Sequence, residues 1–220
     1  MNLQEQIESI LQEGVSQLHF PGAHYAIVYG DGKVVSGHVG FKQTEPIVEA
    51  LHGNEIYDVA SLTKVISTTT LIMKLIDRKQ LLFTTKVSEI LPQFHHTEIT
   101  IADLLTHSSG LPADIPRAST LRNKDDVLSY IYSVDVIYPR GTKIIYSDIG
   151  FILLGLIAQK ITKKTLPELA KDWIFDPLDM SDTSYHPVAK RCAPTEYRED
   201  TVYQGYLQGL VHDEKSFAMQ

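Results

Sequence analysis

Hydrophobic residues recur at helical spacing over most of this chain. The spacing of three to four predicts helices over residues 1–18, 61–78, 100–105, 125–132, 148–162 and 166–175. The segment 148–162 is apolar on nearly all sides, so we expect a buried central helix there. Two runs, 23–29 and 33–40, instead predict strands joined by the hairpin turn Gly30-Asp31-Gly32.

These elements predict one α+β domain over residues 1–220. Residues 1–56 would supply the first helix and the hairpin, 57–182 a helical region, and 183–220 an irregular tail. Residues 45–56 are expected to form a loop. Because a two-stranded sheet is marginally stable by itself, we expect the helical region to pack on this antiparallel sheet and something further to pair with the hairpin.

Composition narrows the function classes. The chain has 220 residues, 20 basic and 27 acidic, with a net charge of −7. Without a basic patch, nucleic acid is not an expected partner. One cysteine, Cys192, permits no internal disulfide. No run is long and apolar enough to span a membrane, and residues 1–18 lack the pattern of a signal peptide, so a cytoplasmic location is predicted.

The first candidate chemistry is Ser61 with Lys64 at the start of a predicted helix. A serine attacks a carbonyl only when a neighbour takes its proton. A lysine three residues later lies one helical turn away on the same face, and in a partly dry pocket it can act as that base. The pattern alone is weak, because a capping serine followed by an ordinary lysine would look the same.

Two further motifs give the pattern its meaning. Residues 59–64 read VASLTK, residues 101–112 read IADLLTHSSGLP and residues 146–151 read YSDIGF. Each lies at the head of a predicted helix. In this order they resemble the serine β-lactamase-like and penicillin-binding-protein family, in the branch of class C β-lactamases, D-alanyl-D-alanine carboxypeptidases and esterases. The resemblance covers the chain from the first helix to about residue 213.

The resemblance implies a β-lactamase/transpeptidase-like fold and an acyl-enzyme mechanism. Ser61 would be the nucleophile, Lys64 its proton-accepting partner, and Tyr146 a proton shuttle to the leaving group. The Ser61 backbone N–H would form half of an oxyanion hole. A small-molecule or peptide acyl substrate is implied, and neither a metal nor an organic cofactor is needed.

Asp148 is one departure from the family pattern, which usually has asparagine at this position. An ionised aspartate cannot donate a hydrogen bond to a substrate amide oxygen. Beside Lys64 it would also hold that amine in its charged form. Asp148 would therefore orient substrate less well than asparagine, and it could equally serve as the N-cap of the helix that it begins.

The second departure is the missing third motif, a Lys- or His-containing triplet ending in glycine. Nothing after Tyr146 offers it, and family members usually add further strands and a final helix. The chain therefore looks like a C-terminally truncated member. We expect weak or no catalysis by this chain alone, and self-association or a complementary chain at its exposed sheet edges.

The predicted function is a serine hydrolase that acts through an acyl-enzyme on an amide, β-lactam or ester, including a cell-wall peptide. The alternative is a non-catalytic fragment or binding module that needs a partner chain to complete its sheet.

Simpler interpretations of single residues stay open at this point. Tyr146 could be a buried packing tyrosine, His107 is expected to be structural, and His95-His96 is expected in a solvated loop without metal. Cys192 is expected to be inert.

Overall fold

The structure of this chain is a computed structural model that describes residues 2–200 and 203–220, without the side chain of Ser119. Contacts between Cα atoms divide the chain into two compact units. The first consists of Met1–Asp58 and His186–Leu210, and the second of Val59–Tyr185 and Val211–Gln220. The prediction of one domain over 1–220 stays a prediction.

The first unit begins with helix α1, Leu3–Ser16, which lies within the predicted helix over 1–18. The Asn2 and Glu5 side chains cap its first turn reciprocally, each accepting the other's backbone N–H. The Tyr25 hydroxyl donates to Glu8 at 2.8 Å and ties α1 to the hairpin that follows.

The predicted hairpin is present as strands β1, Gly22–Val28, and β2, Val34–Gln43. The two strands are antiparallel, in a register that runs from the Gly22 and Gly40 pair to the Val28 and Val34 pair. β2 continues beyond its predicted end and pairs with a short third strand, β3, Glu49–Ala50. The expectation of a loop throughout 45–56 was therefore wrong for these two residues.

A second hairpin lies in the segment that was expected to be irregular. Strand β4, Tyr197–Glu199, pairs antiparallel with β5, Gln204–Tyr206. The rings of Tyr197 and Tyr206 lie opposite each other, 5.0 Å apart. With three residues each, these strands are too short to show a period of two in the sequence, so the expectation of an irregular tail was wrong here.

The second unit is helical. Its helices are α2 Thr70–Asp77, α3 Val87–Ile90, α4 Ile101–Leu105, α5 Lys124–Ser133, α6 Asp148–Thr162, α7 Leu166–Ala170 and α8 Glu214–Ala218. Short 3-10 turns are formed by Ala118–Thr120, Asp176–Leu178 and, in the first unit, Ala189–Arg191. Helix α6 has the predicted bounds, whereas α8 lies in the predicted irregular tail.

Two helices have π-helical turns. Lys64–Thr69 is π-helical and runs directly into α2, and Lys171–Phe175 is π-helical and follows α7. A π turn widens the helix by one residue, and such turns are frequent at functional sites. The predicted helices over 61–78 and 166–175 are therefore present, but each contains a segment of different pitch.

Helix α6 is the centre of the second unit's core. The side chains of Ile149, Leu153, Leu154 and Ile157 are fully buried, as an all-round apolar helix requires. α6 packs against α2, α3, α4 and α7. Among the residues that the structure describes, no helix has both the length and the apolar character to cross a membrane.

Truncating one of these core side chains should destabilise the protein. We expect Leu153→Ala to lower the free energy of unfolding by about 2–5 kcal/mol, because the buried methyl groups are lost and a cavity remains. Leu178→Ala is the matched control, since Leu178 is 65% exposed. Urea unfolding followed by circular dichroism measures both, and equal losses in the two variants would contradict the assignment of α6 to the core.

Candidate active site

Ser61 lies where the chain enters its first long helix in the second unit. The amides of Leu62, Thr63 and Lys64 each donate to the carbonyl three residues earlier, at 3.0 Å. The preceding residue, Ala60, has a left-handed backbone with φ of +45°, a conformation that costs energy for a residue with a Cβ. This sharp entry leaves the Ser61 side chain exposed.

The Ser61 amide is also available to a ligand. Within the described part of the chain the Ser61 N–H makes no hydrogen bond. An N–H in the first turn of a helix points away from the helix body and favours negative charge, because the helix dipole is positive there. This N–H is therefore in a suitable place for one half of an oxyanion hole.

Lys64 is the residue that connects Ser61 to Asp148. Its Nζ donates to Ser61 Oγ at 3.1 Å and lies 2.6 Å from Asp148 Oδ1. The side chain is only 14% exposed. The structure thus brings together three of the residues that the motifs single out, although Asp148 lies more than eighty residues after Lys64 in the chain.

The start of α6 is held by a hydrogen-bonded loop. Ser147 Oγ donates to the Pro112 carbonyl at 2.6 Å and accepts the Gly150 N–H at 3.2 Å, so Ser147 is the N-cap of the helix. The Asp148 N–H donates to the Ala113 carbonyl at 2.8 Å. The alternative that Asp148 is the N-cap was wrong, and its carboxylate is left to pair with lysine.

His107 has the structural place that was expected for it. Its Nδ1 accepts the Ser147 N–H at 2.9 Å, and its carbonyl accepts the Ile145 N–H at 2.8 Å. Burial lowers the pKa of His107, and the nearby Lys64 charge lowers it further. An accepting Nδ1 requires that a neutral ring carry its proton on Nε2. A neutral imidazole beside Lys64 adds no second cation to the site.

Tyr146 faces solvent over the site. Its side chain is 52% exposed and its ring centroid lies 4.8 Å from Lys64 Nζ. The His107 ring lies behind it at 4.6 Å. The alternative of a buried packing tyrosine was therefore wrong, and the phenol is accessible to a substrate.

The charge state of Lys64 follows from these contacts. Burial alone would lower its pKa, but hydrogen bonding to Asp148, with a contribution from Tyr146, outweighs burial and raises the pKa above its ordinary value. Lys64 is therefore an ammonium group in the resting site, as expected from an aspartate at position 148. A proton must leave it before it can accept one from Ser61.

A fifth residue, Lys215 on α8, joins the cluster and was missed by the sequence analysis. Its Nζ lies 3.3 Å from Asp148 Oδ2 and 2.9 Å from both Asp114 Oδ1 and Asp213 Oδ2. No motif or helical period marked this lysine, because α8 has only five residues. Its neighbour Asp213, which caps α8, was the one local signal of a helix start.

The remaining candidates lie in other surroundings. One ring nitrogen of His95 and one of His96 contact the carbonyls of Tyr132 and Val134 at 2.7 and 2.8 Å. No group of three or more metal-ligating side chains is found among the residues described. Cys192 is buried in the first unit, and burial raises the pKa of its thiol.

A model of a known protein family matches most of this chain. The Beta-lactamase family model covers residues 7–210. The chain belongs to the β-lactamase family. Its resemblance to that family, inferred from three motifs, is confirmed.

One curated relative is named as an amidase. The N-acetylmuramyl-L-alanine amidase of Bacillus subtilis (strain 168) is 30% identical over 235 residues, which cover 90% of this chain and 53% of the relative. The chain thus spans about half the length of this relative.

Solved structures show the fold. A class C β-lactamase matches with a TM-score of 0.80 at 20% identity, over 96% of this chain and 59% of that one. The D-amino acid amidase of Ochrobactrum anthropi SV3 matches with a TM-score of 0.79 at 20% identity, over 99% and 66%. The predicted β-lactamase/transpeptidase-like fold, with helices and small antiparallel sheets, is confirmed.

Neutralising Asp148 should make Lys64 a better base. The raised pKa of Lys64 keeps the amine protonated across the neutral range, so covalent modification of Ser61 should accelerate as pH rises. In Asp148→Asn the carboxylate that raises this pKa is gone. We therefore expect the acid limb of the plot of Ser61 modification rate against pH to move to lower pH. A Lys64 pKa that falls by one gives about tenfold more neutral amine at a fixed pH.

The measurement is the rate of Ser61 labelling by a fluorophosphonate as a function of pH. Asp172→Asn is the control, since Asp172 pairs with Lys164 on the surface of the same unit. A limb that stays in place in Asp148→Asn, or that moves to higher pH, would contradict direct coupling.

Proposed function

We propose that this chain carries the acylation site of a serine hydrolase that acts on an amide, a β-lactam or an ester. The observation that carries the proposal is the contact of 3.1 Å between Lys64 Nζ and Ser61 Oγ, with Asp148 bound on the other side of the same ammonium group. This arrangement supports a serine that is activated by its neighbours. Family membership and the amidase relative support the same reaction class.

The acylation step forms one bond and breaks one. Ser61 Oγ attacks the substrate carbonyl carbon, and the bond from that carbon to the leaving group breaks. Lys64 first releases its own proton to solvent and then accepts the Ser61 proton, and Tyr146 passes a proton from Lys64 to the departing nitrogen or oxygen. Water hydrolyses the resulting ester in the same way and restores the Ser61 hydroxyl.

Charge develops on the carbonyl oxygen in this step. The Ser61 N–H would donate to that oxygen, since no hydrogen bond within the described residues occupies it. Loss of one oxyanion donor typically costs about 10²–10³ in rate. A second donor would therefore decide whether the site is fast or slow.

Among the three substrate classes we favour an amide. The Bacillus subtilis relative is named for cleavage of an N-acetylmuramyl-L-alanine amide, and a structural neighbour is named as a D-amino acid amidase. We therefore propose an amide of a cell-wall peptide as substrate. No metal or organic cofactor enters the mechanism. The cytoplasmic location of the chain stays a prediction.

A second candidate is a binding module that needs a partner chain. The observations that favour it are the exposure of Ser61 and Tyr146 in this chain and the open outer edges of β1 and β3 in the sheet as described for the first unit. Open strand edges recruit further strands. Self-association through them is a proposal of the same kind. Covalent labelling separates the candidates, because a pure binding module gives no adduct.

Ser61 should be the site of covalent modification. Incubation with a β-lactam or a fluorophosphonate should add one reagent mass to the peptide that contains Ser61, because this hydroxyl contacts the amine that activates it. We expect no adduct in Ser61→Ala and an unchanged one in Ser181→Ala, which alters an exposed serine of the same unit. Intact and peptide mass spectrometry give the answer, and an adduct that survives in Ser61→Ala would overturn the assignment.

Lys64 and Tyr146 should act as one proton-transfer unit. We expect Lys64→Ala and Tyr146→Phe each to slow acylation by about 10²–10⁴-fold, the usual contribution of a general acid or base. The double variant should be little slower than either single one, because a shared proton path is lost only once. Tyr138→Phe is the control, since the Tyr138 ring lies under Lys143 Nζ and not beside Ser61 or Lys64. Fully additive losses would indicate separate roles.

A further inference from the structure

Lys215 is nearly enclosed by the second unit. Its side chain is only 6% exposed, on a helix that also buries Ala218 in the core. Lysine is almost never fully buried unless it is paired, because burial of an unpaired ammonium is costly. Its surroundings must therefore supply compensating charge.

Three carboxylates supply that charge. Asp114 contacts the Lys215 Nζ with both oxygens, at 2.9 and 3.0 Å, Asp213 lies at 2.9 Å and Asp148 at 3.3 Å. Burial opposes the charged form of Lys215, but the hydrogen bonds to Asp114 and Asp213 raise its pKa far above the ordinary value. Lys215 is therefore a cation at neutral pH.

Asp148 therefore bridges two ammonium groups. Its Oδ1 faces Lys64 at 2.6 Å and its Oδ2 faces Lys215 at 3.3 Å. A carboxylate that is shared between two cations attracts each of them less than it would attract one alone, because each cation offsets its field at the other. The hold of Asp148 on the Lys64 proton thus depends on a residue that touches neither Ser61 nor Lys64.

Other ionisable side chains also interact with this cluster. His107 is kept neutral by burial and by Lys64, and Tyr146 faces Lys64 from above. On α5, which packs against α8, burial and the charge of Asp114 raise the pKa of Tyr130, so its phenol stays neutral. The charges in direct contact at this bridge are therefore two ammonium groups and three carboxylates.

We infer that Lys215 is a positioning residue of the Ser61 site, which binds the far oxygen of Asp148 and so limits how strongly that carboxylate retains the proton of Lys64. One part of the inference rests on the proposed function, namely that a neutral Lys64 then accepts the proton of Ser61. Removal of the Lys215 charge would leave Lys64 facing an uncompensated set of carboxylates, and the Lys64 proton would be held more tightly.

Competitive labelling of amines with acetic anhydride measures the neutral fraction of Lys64 directly. At a fixed alkaline pH the labelling rate of a lysine follows its neutral fraction, and exposed Lys160 serves as internal reference in each digest. We expect Lys215→Met to lower the labelling of Lys64 relative to Lys160 by about tenfold, which corresponds to a Lys64 pKa that is higher by about one. Lys215→Arg keeps the charge and should stay within about twofold of the unaltered protein.

Asp114→Asn gives a test that does not depend on whether Lys215→Met folds. Asp114 is 52% exposed at the side chain, and an asparagine there can still accept the Ile115 N–H. With one competitor removed, Lys215 should bind Asp148 more strongly, and Lys64 labelling should rise. The expected rise is only about twofold, because an exposed charge is screened by solvent.

The outcomes separate this inference from the proposed function. Unchanged or faster Lys64 labelling in folded Lys215→Met, or a fall in Asp114→Asn, would overturn the role of Lys215. A purely structural role would lower the melting temperature without changing the ratio of Lys64 to Lys160, and rescue by Lys215→Arg would then be absent. Failure of Ser61 to acylate in the unaltered protein would overturn the proposed hydrolase alone, since amine labelling requires no acylation.

Discussion

The ion pair between Lys64 and Asp148 is the interaction on which the site depends. It joins the helix that begins after Ser61 to the first turn of α6, the central buried helix of its unit. The two helices that carry these side chains pack against each other, and the pair holds Lys64 Nζ within reach of Ser61 Oγ. The same pair keeps Lys64 protonated, and this opposes its use as a base.

The loop that follows α4 explains why Asp148 is free for that pair. His107 accepts the Ser147 N–H, and the Pro112 carbonyl accepts the Ser147 hydroxyl, so the segment 101–112 fixes the residue that caps α6. Gly110 assists with a positive φ of +84°, in a place where a Cβ would lie 2.1 Å from the Tyr138 carbonyl oxygen. The segment 101–112 thus has a structural task, which is to position the residues 146–148.

Long periodic elements could be predicted from the sequence, and short ones could not. The apolar run of α6 specified its bounds, and the Gly30-Asp31-Gly32 turn specified the first hairpin. α8 has five residues and β4 and β5 have three each, too few for any period to be detected. Ser61, Lys64, Tyr146 and Asp148 were found through motifs, whereas Lys215 depends on how the chain folds back toward α5. Their catalytic roles stay predictions.

The aspartate at position 148 and the buried lysine at position 215 have one physical explanation. An aspartate at position 148, where the family usually has asparagine, brings a negative charge into a half-buried place, and such a charge requires compensation. Lys64 supplies part of it, and its raised pKa means that this pairing stabilises the fold fully below the pKa of an unfolded lysine and is lost only as pH rises through the folded value. A single lysine cannot both neutralise Asp148 and release its proton. The second lysine at 215 resolves the conflict, because it keeps Asp148 paired during the moment when Lys64 is neutral.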